Sequence, residues 1–192
     1  MAWYIASADR DQGGGETFTS VDGPWESDFA RTAAASDLTA IVELVVQGET
    51  VMDRGTDPDT GEMASDGGDG VPVTVGTYRV VEVISGEGAV SGEEITVVVT
   101  ELDHHDRSDA ARAGVAEATS LLVALDRAAE GSSYLVDGDY YTPIGADNGV
   151  VAVIDGELRP WDARVDTIDG AAVDGLSLSE ATSSLERLAA AD

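Results

Sequence analysis

The sequence predicts a mostly-β domain with a short helix ahead of the strands and a longer helix at the C-terminal end. Three observations carry that expectation. Apolar residues alternate with period two in several runs, as in "LTAIVELVVQ" and "EITVVVTEL". Two Asp-Gly pairs sit between strand-like runs, in "YLVDGDYYT" and "VVAVIDGELRP". The tail "SLSEATSSLERLAAAD" changes to a helical period.

Taken in order, residues 1–23 are polar and glycine-rich, and a flexible N-terminal segment is expected there. "PWESDFARTAAAS" over 24–36 reads as a short helix. Pro24 suits a first turn, and Trp25 and Phe29 fall four apart on one face. In the strand that follows, Leu38, Ala40, Val42, Leu44 and Val46 share one face, and the opposite face is half polar. Residues 53–70 are turn formers and acids, hence a loop. Residues 71–86 form a long strand with a bend expected near Gly76. "GEGAVSGE" turns the chain, and 94–102 is the next strand, with Ile95, Val97 and Val99 on one face. "TSLLVALDRA" is ambiguous by period, and its place between hairpins favours a strand. The final helix spans 177–190. Ser177 can cap it, Glu180 closes a capping box, and Leu178, Ala181, Leu185 and Leu188 make its buried stripe. With no internal repeat and no second core, 24–192 is read as a single domain.

Composition removes several functions. The chain of 192 residues carries 38 acids against 10 basic residues, all arginine, for a net charge of −28. Such a surface repels phosphate backbones and anionic lipid, so neither nucleic acid nor direct membrane insertion is expected. It suits basic partners and cations. Without lysine there is no P-loop and no Schiff base; without cysteine there is no disulfide, thiolate metal site or thiol nucleophile. No run approaches the ~18 apolar residues of a membrane span. "MAWYIASADRD" lacks a basic n-region and a long apolar stretch, so the expectation is a mature fragment whose signal or anchor has been removed. The excess of Asp over Glu, with arginine in place of lysine, fits two origins: an extracytoplasmic product of a high-GC genome, or a halophile cytosol.

Candidate chemistry is sparse. "ELDHHDRSD" holds both histidines, His104 and His105, among carboxylates. On a strand neighbouring histidines point to opposite faces; in a loop they could share an ion with Asp103, Asp106 or Asp109. No apolar residues surround them and no third histidine exists for a three-histidine zinc site, so a solvated loop is the expected reading. The acids of the 53–70 loop, Asp57, Asp59, Glu62, Asp66 and Asp69, do not follow the calcium-loop spacing and are expected to bind cations only weakly. "DTG" over 59–61 lies in that acidic loop rather than at the end of an apolar strand, unlike an aspartic protease. "GEGAVSG" over 86–92 precedes a strand, so no helix N-terminus is available for a phosphate and a hairpin is expected. Trp161 and the pair Tyr140–Tyr141 could line a groove, but aromatics at strand ends pack more often than they bind. No catalytic residue, cofactor site or metal site is assigned.

The order "ASDLTAIVELVVQGE", "TYRVVEVISGE", "GEEITVVV", "SLLVALDRA" and "YYTPIGADNGVVAVIDGEL" resembles a diffuse group of uncharacterised extracytoplasmic bacterial proteins, many of them actinobacterial. The resemblance covers about residues 25–160. Ser85 and Glu87 stand where that group often has a basic residue. It implies an OB-like five-stranded barrel similar to netrin-like and metalloprotease-inhibitor domains, and an extracytoplasmic location. It brings no catalytic motif. "VDTIDGAAVDGLSLSEATSSL" over 165–185 is similar to the last strand and ligand-side helix of PDZ domains. The expectation is therefore a mostly-β, OB-like five-stranded barrel with a short N-terminal helix and a C-terminal helix. It would serve as a non-enzymatic extracytoplasmic binding or accessory module for a protein or envelope ligand. Two alternatives are a metal-dependent hydrolase centred on 101–109 and a PDZ-like peptide-binding module at the C-terminus.

Overall fold

The computed structural model describes residues 28–48, 50–55, 57, 60, 62–63, 70–100, 118–128, 135–136, 138–161 and 165–191. Five strands close on themselves. β1 (Leu38–Val46) pairs with β3 (Val71–Gly86), and β3 with β4 (Glu94–Thr100). β4 lies beside β6 (Tyr140–Pro143), β6 beside β5 (Ser120–Ala128), and β5 returns to β1. All these pairings are antiparallel except that of β4 with β6, where Val97 meets Tyr141 in a parallel bridge. Closure removes the exposed edges that an open five-stranded sheet would carry. The fold is the expected mostly-β, OB-like barrel with a short helix before it and a C-terminal helix after it.

Two strands of the barrel are continued past an interruption. β2 (Thr50–Asp53) runs on from β1 along the same side of β3. β7 (Val150–Ile154) runs on from β6 along the same side of β5: Leu125 pairs with Pro143, and Val123 with Val150. Between them residues 144–149 leave the ladder opposite Ala124, and part of this excursion is a 3-10 turn, Ala146–Gly149. β6 thus bends toward β4 to close the barrel, while β7 diverges to pair with β8 (Glu157–Pro160).

Curvature comes from extra residues. The β1–β3 register shifts between Thr39 and Ala40 and between Ile41 and Val42, so Ile84 and Val81 are unmatched on β3. A third shift leaves Val45 unmatched on β1. Such bulges bend and twist a strand, as closure requires. At Gly76 the β3–β4 register runs unbroken, opposite Val97. Gly76 makes room for an aromatic ring, since a Cβ would come within 2.7 Å of Tyr78 Cε2.

Over much of β1, β5 and β7 both faces of the barrel wall are buried. Inside, Leu38, Ala40, Val42, Val80, Ile95, Val97, Val123 and Leu125 form the interior core. Outside, Ile41, Leu122, Ala124 and Val151 pack against an outer layer made of α1 (Phe29–Ala34), the short hairpin β9–β10 (Thr167–Ile168, Ala171–Ala172) and α2 (Leu178–Ala189). The second face of β1, expected half polar, is therefore polar only past Ile41; Thr39 is buried, with its hydroxyl bonded to Ser36 Oγ and the Ala33 carbonyl. On the first face Leu44 is only half buried and Val46 is 57% exposed, because β5 pairs with β1 no further than Glu43.

Two further expectations are corrected. The N-terminal helix begins at Phe29, not Pro24: Asp28 is extended and its carboxylate accepts the Ala30 N–H, the geometry of an N-cap. Residues 24–27 lie outside the described residues. The first Asp-Gly hairpin does not form either. Leu135 and Val136 belong to no strand, and Tyr140–Pro143 pairs with β5 instead, where it is needed to close the barrel. The second does form, with Asp155 at φ 53° and Gly156 at φ 81° in the primed turn that fits strand twist.

Candidate functional site

Among the described residues, a cavity in the barrel interior between Val42, Tyr78, Val97, Val99, Val123 and Val150 is apolar and measures about 10 Å³. That is the space of a single water, far below the several hundred Å³ of a small-molecule site. Burial pushes the Tyr78 hydroxyl pKa up, keeping it neutral at the cavity wall.

Several charged groups meet at the end where β1 begins and β5 finishes. Leu38 is opposite Leu125, which brings Asp37 beside Asp126 and Arg127. The Asp37 carboxylate accepts the Arg127 backbone N–H at 2.9 Å. The Arg127 guanidinium pairs with Asp139, just ahead of β6, and Asp139 holds it firmly protonated. Asp126 is pushed above the usual carboxylate range by burial and by the Asp37 charge. Tyr141, raised chiefly by burial, stays a donor and gives its proton to the Gly88 carbonyl at 2.8 Å. The turn over 86–92 is in this way tied to the barrel end and leads directly into β4, as a hairpin does. Its Glu93 carboxylate accepts the Val90 N–H, and Val90 itself is 67% exposed.

The candidate aromatics are packing residues. Tyr141 belongs to the interior core, Tyr140 packs with Val73 and Val98, and Trp161 leans on the interior cluster. Among the described residues no partner meets the Trp161 Nε1 donor.

The "ELDHHDRSD" candidates, Asp103, His104, His105, Asp106 and Asp109, lie outside the described residues, as do Asp59, Asp66 and Asp69 of the acidic loop. Asp57 and Glu62 are described. They close a tight turn through the Asp57 N–H to Glu62 carbonyl bond of 2.7 Å, with the Asp57 carboxylate accepting the Thr60 N–H. Among the described residues no three His, Asp or Glu side chains converge on a metal position, and no helix is long and apolar enough to cross a membrane.

The segment similar to PDZ domains folds as the β9–β10 hairpin followed by α2. Ala181 and Leu185 are buried against the barrel wall, and Leu178 and Leu188 pack at the border of the same core. Asp28 joins this layer to α1: besides capping that helix, its carboxylate accepts the N–H groups of Asp169 and Gly170 at 3.0 and 3.2 Å. Reading the sequence missed Asp28, the Asp37–Asp126 pairing and Asn148. Asp28 had a signal, since Asp before an apolar helical run is an N-cap type; the other two depend on strand register.

No family model, curated protein or solved structure matches the chain. The fold and its surface define a class, the closed five-stranded β-barrel with an outer helical layer.

Proposed function

We propose that this protein is a non-enzymatic extracytoplasmic binding or accessory module, an OB fold in the strict sense, that engages a basic protein or envelope ligand through the outside of its barrel. The observation that carries this reading is the filled interior: with a cavity of about 10 Å³, a ligand has to be met on the surface. The strand circuit β1-β3-β4-β6-β5-β1, with one parallel closure, supports the finer fold assignment. The net charge of −28 supports a basic partner. The resemblance of residues 25–160 supports the location.

The test is an immobilised full chain challenged with a peptide array in which basic sequences are matched by scrambled and charge-neutral versions. Sequence-dependent capture of basic peptides, weakened but not abolished between ~0.05 and ~0.5 M salt, is the expected result. Capture that tracks charge alone would remove the binding-module reading. Zinc-dependent hydrolysis lost in the double variant His104→Ala with His105→Ala would replace it with the hydrolase centred on 101–109.

A further inference from the structure

Asn148 is the only asparagine in a chain with 38 acidic residues, and it is followed by Gly149. It lies in the excursion between β6 and β7, 2% exposed, and neither its Oδ1 nor its Nδ2 has a hydrogen-bond partner among the described residues. The 3-10 turn that carries it touches α1, β4, β5, β6 and β7, so it sits where the barrel closes and the outer layer begins. The ionisable residues of those elements, Arg31 on α1, Glu94 on β4, Asp126 and Arg127 on β5 and the two tyrosines of β6, make no hydrogen bond to its side chain. A buried amide without partners already costs free energy; an ionised carboxylate of the same shape costs far more.

We propose that Asn148–Gly149 is a deamidation site that acts as a one-way lock on the barrel seam. Asparagine is chemically labile, and a following glycine leaves the next backbone nitrogen unhindered. The Gly149 nitrogen bonds to Asn148 Cγ, the Cγ–Nδ2 bond breaks, and ammonia leaves carrying the Gly149 proton. Water then opens the five-membered imide at either carbonyl, giving aspartate or its isomer with a lengthened backbone.

The folded chain opposes the first step. The Asn148 N–H is bonded to the Gly145 carbonyl. Gly149 is wedged so closely that a Cβ would lie 2.7 Å from the Ala124 carbonyl oxygen and 2.8 Å from the Ile144 nitrogen. Such close packing hinders the backbone rotation that would carry the Gly149 nitrogen to Cγ, and burial limits the water that the second step consumes. Local opening of residues 144–149 removes both restraints. Once the amide is lost, the seam closes again only by burying a charge or accommodating the isomer.

The experiment follows deamidation by peptide mass on the full chain, folded and in denaturant, at mildly alkaline pH. The folded chain is expected to react roughly tenfold or more slowly, because reaction waits on local opening. The variant Asn148→Asp should melt below the parent at neutral pH and approach it as the pH falls through the carboxylate range. Its folded pKa would be raised, so the penalty is complete above that value and absent below the unfolded one. If the variant does not fold at neutral pH, the acidic measurement still reads the effect. Equal deamidation rates in the folded and denatured chains, or an Asn148→Asp melting point equal to the parent's at every pH, would overturn the proposal.

Discussion

The barrel interior and the outer layer share a wall, formed by β1, β5 and β7, yet they are held in different ways. The interior is a core of aliphatic side chains contributed by strands far apart in sequence; Val42, Val97 and Val123 meet there only because the circuit closes. The outer layer also uses polar devices, two of them local and one long-range. Ser177 and Glu180 cap α2, Asp169 at φ 50° and Gly170 at φ 77° turn β9 into β10, and the Asp28 carboxylate clamps that turn to α1. The edge of β8 is covered by the same stretch, through the Leu158 N–H to the Leu176 carbonyl and the Gly175 N–H to the Leu158 carbonyl. The outer layer adds polar caps to apolar packing by Phe29, Ile168, Ala181 and Leu185, while the interior rests chiefly on packing.

That contrast can be broken most severely at Val97. A buried, unpaired charge from Val97→Asp should cost roughly 3–5 kcal/mol, a large part of a domain's stability, and denature both regions in one transition. Circular dichroism with tryptophan fluorescence checks it; a parent-like cooperative melt would mean that the interior is not the shared foundation.

A smaller and local loss is expected at Asp28. Asp28→Ala removes the acceptor for three backbone N–H groups and should cost about 2 kcal/mol. Hydrogen exchange should rise in 165–191 while β4 stays protected, and Asp28→Asn should restore part of the effect. Equal loss of protection in both regions would erase the distinction between them.

Ser177→Ala should cost about 1 kcal/mol, the usual worth of an N-cap, visible as faster exchange in the first turn of α2. The surface ion pairs of the layer, Arg187 with Asp169 and Arg159 with Glu157, are exposed and should matter less than this cap.

The smallest effect has the opposite sign. Asp126 is raised in the folded state by burial and by Asp37. Its ionisation therefore weakens the fold as the pH climbs through the carboxylate range, with the penalty complete above the folded pKa and absent below the unfolded one. Asp126→Asn should raise the melting temperature at neutral pH, and the gain should vanish in acid. A variant less stable than the parent at neutral pH would show that the barrel end needs this charge.

The parts of the molecule that could be read in advance are those whose cause is local. The alternation of 94–100, the Asp155–Gly156 turn and the Ser177 N-cap each follow from a few adjacent residues obeying the geometry of one strand, turn or helix end. The helix stripe was legible for the same reason, since Ala181 and Leu185 repeat with the helical period whatever they pack against. Composition likewise fixed the net charge of −28 and left no lysine or thiol for chemistry.

What the tertiary structure alone decided is which partner each segment takes. "YLVDGDYYT" carries a hairpin signal, but the gain from seating Tyr140–Pro143 between β4 and β5 outweighs it, because closure buries Tyr141 and removes two sheet edges. The bulges at Val81 and Ile84, the burial of Thr39, the meeting of Asp37 with Asp126 and the isolation of Asn148 all arise from register and closure. These join residues tens of positions apart, and a period of two along one strand is silent about which neighbour lies across it or which face a second layer will cover.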